Sequence, residues 1–176
     1  GTFKCLDGSD VTIDNREQLK EIALTFPYVI TTTAGKINDY FLSSCDNLSR
    51  IDLSGIWCTT NIGDYFLYKN KASYVDLSGL RNVVSIGQCF LSYCYNLTSV
   101  DLSPLTSLES ISHRFLANSE KLESVNLSGL KNITNTGNGF LTGCKVLNNV
   151  DFSPLSNVEI IGQNFLEECD AITSID

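Results

Sequence analysis

The sequence predicts an α/β solenoid: an array of about six coils of 24–25 residues, with parallel inner strands and a cap made of a hairpin and a helix at the N-terminal end. One observation is a regular series of phenylalanines, spaced by 25, 24, 25, 25 and 25 residues: Phe41, Phe66, Phe90, Phe115, Phe140 and Phe165. A second is the phrase NLTSVDLSPL at 96–105, which recurs in the same rhythm. One such unit is too short to enclose its own apolar side chains, whereas stacked units bury them against each other.

The first 36 residues do not repeat, and we predict that they cap the first coil. Segments 2–6 and 11–13 flank a DGSD turn, which is typical of a β-hairpin. Asp14 is a suitable N-cap for a helix over 15–26, which Pro27 would end. The chain therefore divides into a cap, 1–36, and a solenoid, 37–176. Because the final repeat stops in mid-phrase, we expect a truncated solenoid with an open C-terminal edge.

Each repeat contains an apolar–polar–apolar triplet that predicts a short inner strand, at 51–53, 75–77, 100–102, 125–127 and 150–152. A second extended stretch is predicted before each Ile-Gly pair, as at 83–86 and 108–111. The F-L-x-x-C stretch is too short for a helix and predicts a single turn. The glycines of one repeat position predict a corner with an unusual φ: Gly63, Gly87, Gly137 and Gly162.

Stacked triplets align a polar column along the inner strands: Asp52, Asp76, Asp101, Asn126 and Asp151. The favoured interpretation is that these side chains bind nearby N–H or serine O–H groups where the strands end. A stripe that binds a cationic protein surface stays open. A calcium site is disfavoured, because Ca²⁺ requires six to eight converging oxygens.

The position before the aspartate varies from repeat to repeat, which is where recognition would be encoded on a constant scaffold: Arg50, Tyr74, Ser99, Ser124 and Asn149. These five residues and the five of the polar column are the predicted partner-binding residues. Among these ten residues we favour Tyr74, in a contact cluster with Tyr65 and Tyr68 of the same repeat. Structural packing of these tyrosines is the alternative.

Four cysteines share one repeat position, where Asn70 and Ser119 stand in the other repeats: Cys45, Cys94, Cys144 and Cys169. This exchange predicts a small, inward side chain that bonds the local backbone, and parallel stacking gives poor geometry for disulfides. A bridge between Cys5 and Cys58 stays open. N-x-S/T sequons occur at 47, 96, 126 and 132, and a glycan on Asn126 would cover the inner strands, so we expect that asparagine to be bare.

The net charge of −8 disfavours nucleic acid as a partner and favours a protein with a basic surface. No apolar run is long enough to insert into a membrane. The single histidine, His113, precedes Arg114 at a variable position and is predicted to lie on the surface. Because no Cys-x-x-Cys pair, histidine cluster or phosphate loop is present, we predict no catalytic residue, no metal site and no cofactor.

The repeat unit resembles the leucine-rich repeats of BspA-like surface proteins over about residues 37–176. The matching residues, with their equivalents one period away, are Leu97, Val100, Leu102, Ile86, Gly87, Phe90 and Cys94. The resemblance implies a non-enzymatic module for protein–protein recognition and cell-surface adhesion, on the cell surface or secreted; a cytoplasmic location stays open. The alternative is a structural rod that self-associates end to end or laterally through its open edge.

Overall fold

The computed structural model describes the backbone of residues 2–5, 10–12, 21–23 and 28–29, and both backbone and side chains of residues 35–175. These residues form a parallel β-solenoid of about five turns. Their helical elements are two short 3₁₀ helices, Ser78–Leu80 and Ser153–Leu155, neither of which is long enough to cross a membrane. The α/β class is therefore wrong for the described chain, which is a β-solenoid.

The predicted N-terminal hairpin is confirmed, but the predicted helix is wrong where the structure describes it. Strands β1 (Thr2–Cys5) and β2 (Asp10–Thr12) are antiparallel, and β4 (Tyr28–Val29) pairs with the other edge of β1. Residues Glu21–Ala23 form a strand, β3. Pairing with a neighbouring strand overrides the local helix propensity of this segment. The rest of the predicted helix lies outside the described residues, and the division at residues 36 and 37 stays a prediction.

The inner strands begin one residue before each predicted triplet, and they are parallel and in register. One sheet has the order β3, β6 (Arg50–Asp52), β8 (Tyr74–Asp76), and the next has the order β10 (Ser99–Asp101), β11 (Ser124–Asn126), β12 (Asn149–Val150). A third sheet contains the second extended stretch of three repeats: β5 (Lys36–Ile37), β7 (Asn61–Ile62) and β9 (Ser85–Ile86). In the later repeats this stretch makes isolated bridges only, Ser85 with Ser110 and Asn135 with Ile160.

The six phenylalanines form one continuous stack inside the solenoid. Successive ring centroids lie 5.5, 5.2, 4.9, 5.8 and 5.5 Å apart, with planes inclined by 5–14°. The four central rings are fully buried: Phe66, Phe90, Phe115 and Phe140. One repeat is therefore one coil, and each coil buries its apolar side chains on its neighbours.

The segment around each phenylalanine has a backbone that the sequence does not predict. The residue before the phenylalanine, the leucine after it and the residue two positions further have positive φ, 50–61° at 16 non-glycine positions. In one coil these are Cys89, Leu91 and Tyr93, whose N–H groups donate to carbonyls of the adjacent coils at 2.8–3.0 Å. A left-handed residue costs about 1–2 kcal/mol, so bonding to the coils on both sides is what holds this conformation. We call these stretches the turn segments.

The glycine corner has a different cause from the one predicted. An unusual φ occurs at Gly137 alone, and is absent at Gly63, Gly87 and Gly162. A Cβ on Gly87 would lie 2.6 Å from the backbone nitrogen of Asp64 in the preceding coil. This column is therefore glycine-rich because successive backbones approach closely there.

Candidate recognition surface

The aspartates of the inner strands first serve the fold. Each accepts the backbone N–H of the serine two residues later, with Oδ1···N distances of 2.8 Å at Asp76, 2.9 Å at Asp101 and 2.9 Å at Asp151. Asp52 and Asn126 make the same bond. This is the Asx turn, in which a short carboxylate or amide replaces a backbone acceptor. The predicted bond to a nearby N–H is confirmed, and it explains why the column is conserved from coil to coil within the chain.

The Asx turns use only part of the hydrogen-bonding capacity of each carboxylate. Asn126 donates from Nδ2 to Asp101 Oδ1 at 2.9 Å, which offsets repulsion along the column. Two hydrogen bonds from Ser153, one from its N–H and one from its hydroxyl, lower the pKa of Asp151. Within the described chain no group donates to Oδ2 of Asp76 or Asp101. These oxygens therefore remain free to accept from a partner.

The variable column lies beside the aspartates, with Arg50 opposite Tyr74 and Ser124 between Ser99 and Asn149. The Arg50 guanidinium lies 4.0 Å from the centroid of the Tyr74 ring, a cation–π contact, and Tyr74 remains 42% exposed. All ten predicted site residues are exposed or half-buried on this surface.

The predicted cluster of Tyr74 with Tyr65 and Tyr68 does not form. The rings of Tyr65 and Tyr68 contact each other at 5.2 Å in the turn segments, and Tyr65 stacks on Tyr40 at 4.7 Å. Tyr74 contacts Arg50 instead. These three tyrosines are close in the sequence, but they occupy different repeat positions and therefore lie on different faces of the coil.

A glycine-or-proline column sets how closely the inner strands approach. In the coil before Gly79, Leu53 N–H donates to Asp76 O at 2.9 Å, and in the coil before Gly129, Leu102 N–H donates to Asn126 O at 3.0 Å. These bonds join the ends of neighbouring inner strands. A Cβ on either glycine would clash with the carbonyl oxygen of that same leucine. The other coils have Pro104 and Pro154, and there the corresponding leucines, Leu77 and Leu127, make no such bond.

A cleft lies in the inner surface at the first of these proline coils. Strands β8 and β10 are neighbours but share no bridge, and a cleft of about 160 Å³ lies between them, lined by residues that include Tyr74, Asp76, Ser99, Asp101 and Pro104. A shallower depression of about 430 Å³ follows over β10–β12, lined by residues that include Ser124, Asn126, Asn149 and Asp151. Eight of the ten predicted residues line these two depressions. The sequence signal for the cleft is the choice of glycine or proline at this repeat position, which the predictions above do not use.

Replacing Pro104 with glycine should close the cleft. We expect the Leu77 amide to bond Asp101 O, as Leu53 bonds Asp76 O, and to exchange with deuterium at least about tenfold more slowly. Pro154→Gly is the matched control, because it should protect Leu127 and leave Leu77 unchanged. Equal exchange of Leu77 in the wild type and the Pro104→Gly variant would show that the proline does not cause the gap.

The cysteine column is structural, as predicted. The thiols of Cys94, Cys144 and Cys169 donate to leucine carbonyls of the preceding coil at 3.4, 3.3 and 3.1 Å. Asn70 and Ser119 donate to the equivalent carbonyls at 3.0 Å. Burial raises the pKa of Cys94 and of Cys144 from 9.0 to about 12, so these thiols stay protonated at neutral pH and are poor nucleophiles. The side chain of Cys5 lies outside the described residues.

His113 is exposed, as predicted, but it also links two coils. Its Nδ1 accepts the backbone N–H of Asn138 at 3.1 Å, and Asn138 Oδ1 accepts that of Gln163 at 2.9 Å. Asp39 and Asp64 do the same in earlier coils. Over residues 35–175, no group of three or more His, Cys, Asp or Glu side chains is placed to hold a metal ion.

Three sequon asparagines already use their side-chain nitrogen between coils. Asn96 donates to Lys71 O at 3.0 Å, Asn132 to Thr106 O at 2.9 Å, and Asn126 to Asp101. A glycan attaches to this same nitrogen, so glycosylation would compete with each of these bonds. That Asn126 stays bare in a glycosylating pathway remains a prediction.

Comparison with known proteins agrees with this architecture. The family model described as BspA type Leucine rich repeat region matches in six copies, over residues 15–137 and 60–176. No curated protein and no solved structure matches the chain significantly.

Proposed function

The chain belongs to the BspA-type leucine-rich repeat family, and we propose that it is a non-catalytic module that recognises a protein partner on its inner strand surface. The family suggests an interaction or surface module. The observation that supports the inner strands is the cleft between β8 and β10, because it combines an exposed aromatic ring with two available carboxylate oxygens. A cell-surface adhesion role is part of the same proposal.

The cleft fits a long basic side chain of the partner. Its volume of about 160 Å³ accommodates one side chain or a few waters. Tyr74 supplies an aromatic wall, and Asp76 and Asp101 supply carboxylates at the rim. An arginine or lysine inserted here would bond the free Oδ2 atoms, and partly buried bonds between charged groups are stronger than neutral ones. The net charge of −8 would also attract a basic surface and speed association.

The test uses a random peptide library displayed on phage and selected against the immobilised protein. We expect selected peptides to be rich in lysine and arginine, and to bind a Tyr74→Ala, Asp101→Asn double variant at least about tenfold more weakly. Asparagine at 101 keeps the acceptor for Ser103 N–H, as Asn126 does in the next coil, and replaces the charged Oδ2 acceptor with an amide NH2 group.

The control is a Tyr95→Ala, Asp170→Asn variant, which removes the same two residue types from exposed positions outside the inner strands. We expect it to bind the selected peptides like the wild type. Equal affinity of the inner-strand variant and the wild type would move the recognition site off this surface.

A structural rod is the second candidate, favoured by the apolar face of the last described coil. Ile160, Ile161 and Ile175 are 57, 65 and 55% exposed. Ile161 and Ile175, with Phe152 and Phe165, line a depression of about 320 Å³. If this face joins two solenoids, the mass measured by light scattering will rise with concentration, and Ile161→Glu will restore the monomer. A constant monomeric mass at high concentration excludes the rod.

A further inference from the structure

The turn segments carry a second concave surface, separate from the inner strands. A groove of about 620 Å³ runs across several coils, and its lining includes Gln88, Tyr93, His113, Arg114, Asn138 and Gln163. None of the ten predicted partner-binding residues belongs to it. The groove arises because the positions just before and just after each phenylalanine stack from coil to coil.

Inter-coil hydrogen bonds fix the orientation of the polar groups in this groove. Asn138 accepts from Gln163 N–H through Oδ1, so its amide nitrogen is left as a donor with no protein partner in the described chain. His113 accepts from Asn138 N–H through Nδ1, so in the neutral imidazole the proton lies on Nε2. Arg114 makes no ion pair with any described residue and adds a fork of donors.

Acceptors and an aromatic wall complete the surface. Glu167 lines the groove and accepts from Asn164 Nδ2, so it offers further lone pairs. Tyr93 forms one wall, and its ring contacts that of Tyr68 at 5.5 Å with planes inclined by 74°. Tyr68 contacts Tyr65 in turn. A strip of tyrosine rings therefore leads into one end of the groove.

The combination of polar donors, polar acceptors and an aromatic wall favours some classes of ligand over others. An apolar ligand would leave many amide and guanidinium groups unpaired, which is costly. A phosphate-rich ligand would meet only Arg114 as a fixed positive charge, with Glu167 in the same groove. The adjacent hydroxyls of a sugar both donate and accept, so they match planar amides, imidazole and guanidinium, while the apolar faces of sugar rings pack on tyrosine.

We propose that the turn-segment groove binds a neutral oligosaccharide. Its volume lies within the usual range for small-molecule sites, and its extension across coils suits a chain of several sugar units. This site is independent of the protein-binding surface on the inner strands, and either can exist without the other.

The test is a microarray of neutral and acidic oligosaccharides, followed by titration calorimetry with the neutral glycan that binds. The variant is Tyr93→Gly, Arg114→Gly. Both residues have positive φ, and the chain itself has glycine at the equivalent positions, Gly143 and Gly139, so the substitutions suit the backbone. We expect binding of at least one neutral oligosaccharide and at least tenfold weaker binding by the variant.

The inner-strand variant, Tyr74→Ala with Asp101→Asn, is the matched control and should bind the oligosaccharide like the wild type. A thermal melt of each variant verifies that the fold persists. The proposal is overturned if no neutral oligosaccharide binds, if only acidic glycans bind, or if the groove variant binds as well as the wild type. None of these outcomes bears on peptide binding by the inner strands.

Discussion

Replacing Phe115 with alanine is expected to lower the free energy of unfolding by about 3–5 kcal/mol. The Phe115 ring is buried and lies between Phe90 and Phe140, with centroids at 4.9 and 5.8 Å. Its removal loses apolar burial and both stacking contacts, and it leaves a cavity that stacked coils cannot easily fill. Urea unfolding followed by circular dichroism measures the loss.

Phe165→Ala is the matched control for this prediction. Its ring is only partly buried. Within the phenylalanine stack it contacts one neighbour, Phe140, and it also makes a tilted contact with Phe152. We therefore expect a clearly smaller loss of stability than at Phe115. Equal losses at the two positions would indicate that the phenylalanines do not act as one internal stack.

Raising the pH above about 9 should destabilise the protein through the buried thiols. The pKa of Cys94 and of Cys144 is raised from 9.0 to about 12 in the folded protein, because burial disfavours the thiolate. Below pH 9 both states keep these protons and the thiols contribute no pH dependence. Between pH 9 and 12 the unfolded chain releases protons that the folded chain retains, so stability falls by up to about 1.4 kcal/mol per pH unit for each thiol.

The Cys94→Ser, Cys144→Ser double variant isolates this effect. Serine keeps a donor for the leucine carbonyl, as Ser119 shows in its own coil, but it does not titrate in this range. We expect wild type and variant to unfold at similar urea concentrations at pH 7, and the wild type to lose more stability by pH 10.5. The two proteins have the same tyrosines and lysines, so parallel pH curves would contradict the assigned burial of the thiols.

The repeat spacing predicts the coil, the phenylalanine stack, the inner strands and the cysteine column, because each depends on which side chain occurs at a fixed position. The alternation of apolar and polar residues also identifies the polar column on the inner strands, whose aspartates are predicted to bond nearby N–H groups. These features follow from burial and hydrogen-bonding chemistry that residue identity expresses directly.

Three features cannot be predicted from residue identity at fixed repeat positions, each for a physical reason. The strand at Glu21–Ala23 forms by pairing with Arg50–Asp52, a contact far along the chain that overrides local helix propensity. The alternating left-handed backbone has almost no sequence signal, because leucine occupies one of its three positions and only Gly139 and Gly143 reveal the others. The groove could not be predicted without that backbone, since it decides which side chains meet.

The cleft beside Tyr74 has a sequence signal that the predictions did not use. Pro104 and Pro154 occur at a repeat position where other coils have glycine. The difference matters because glycine allows neighbouring coils to touch, whereas a residue with a Cβ at that position does not fit at the same spacing. Choice between the two residues therefore shapes the proposed binding surface.

Through-space proton contacts measured by nuclear magnetic resonance test most directly the claim that residues one repeat apart lie side by side. The account predicts contacts between backbone protons of Ser99 and Ser124 and of Ser124 and Asn149, together with ring contacts linking Phe90, Phe115 and Phe140. Absence of these contacts, or phenylalanine rings that do not meet, would contradict the stacked coil and remove both proposed surfaces with it.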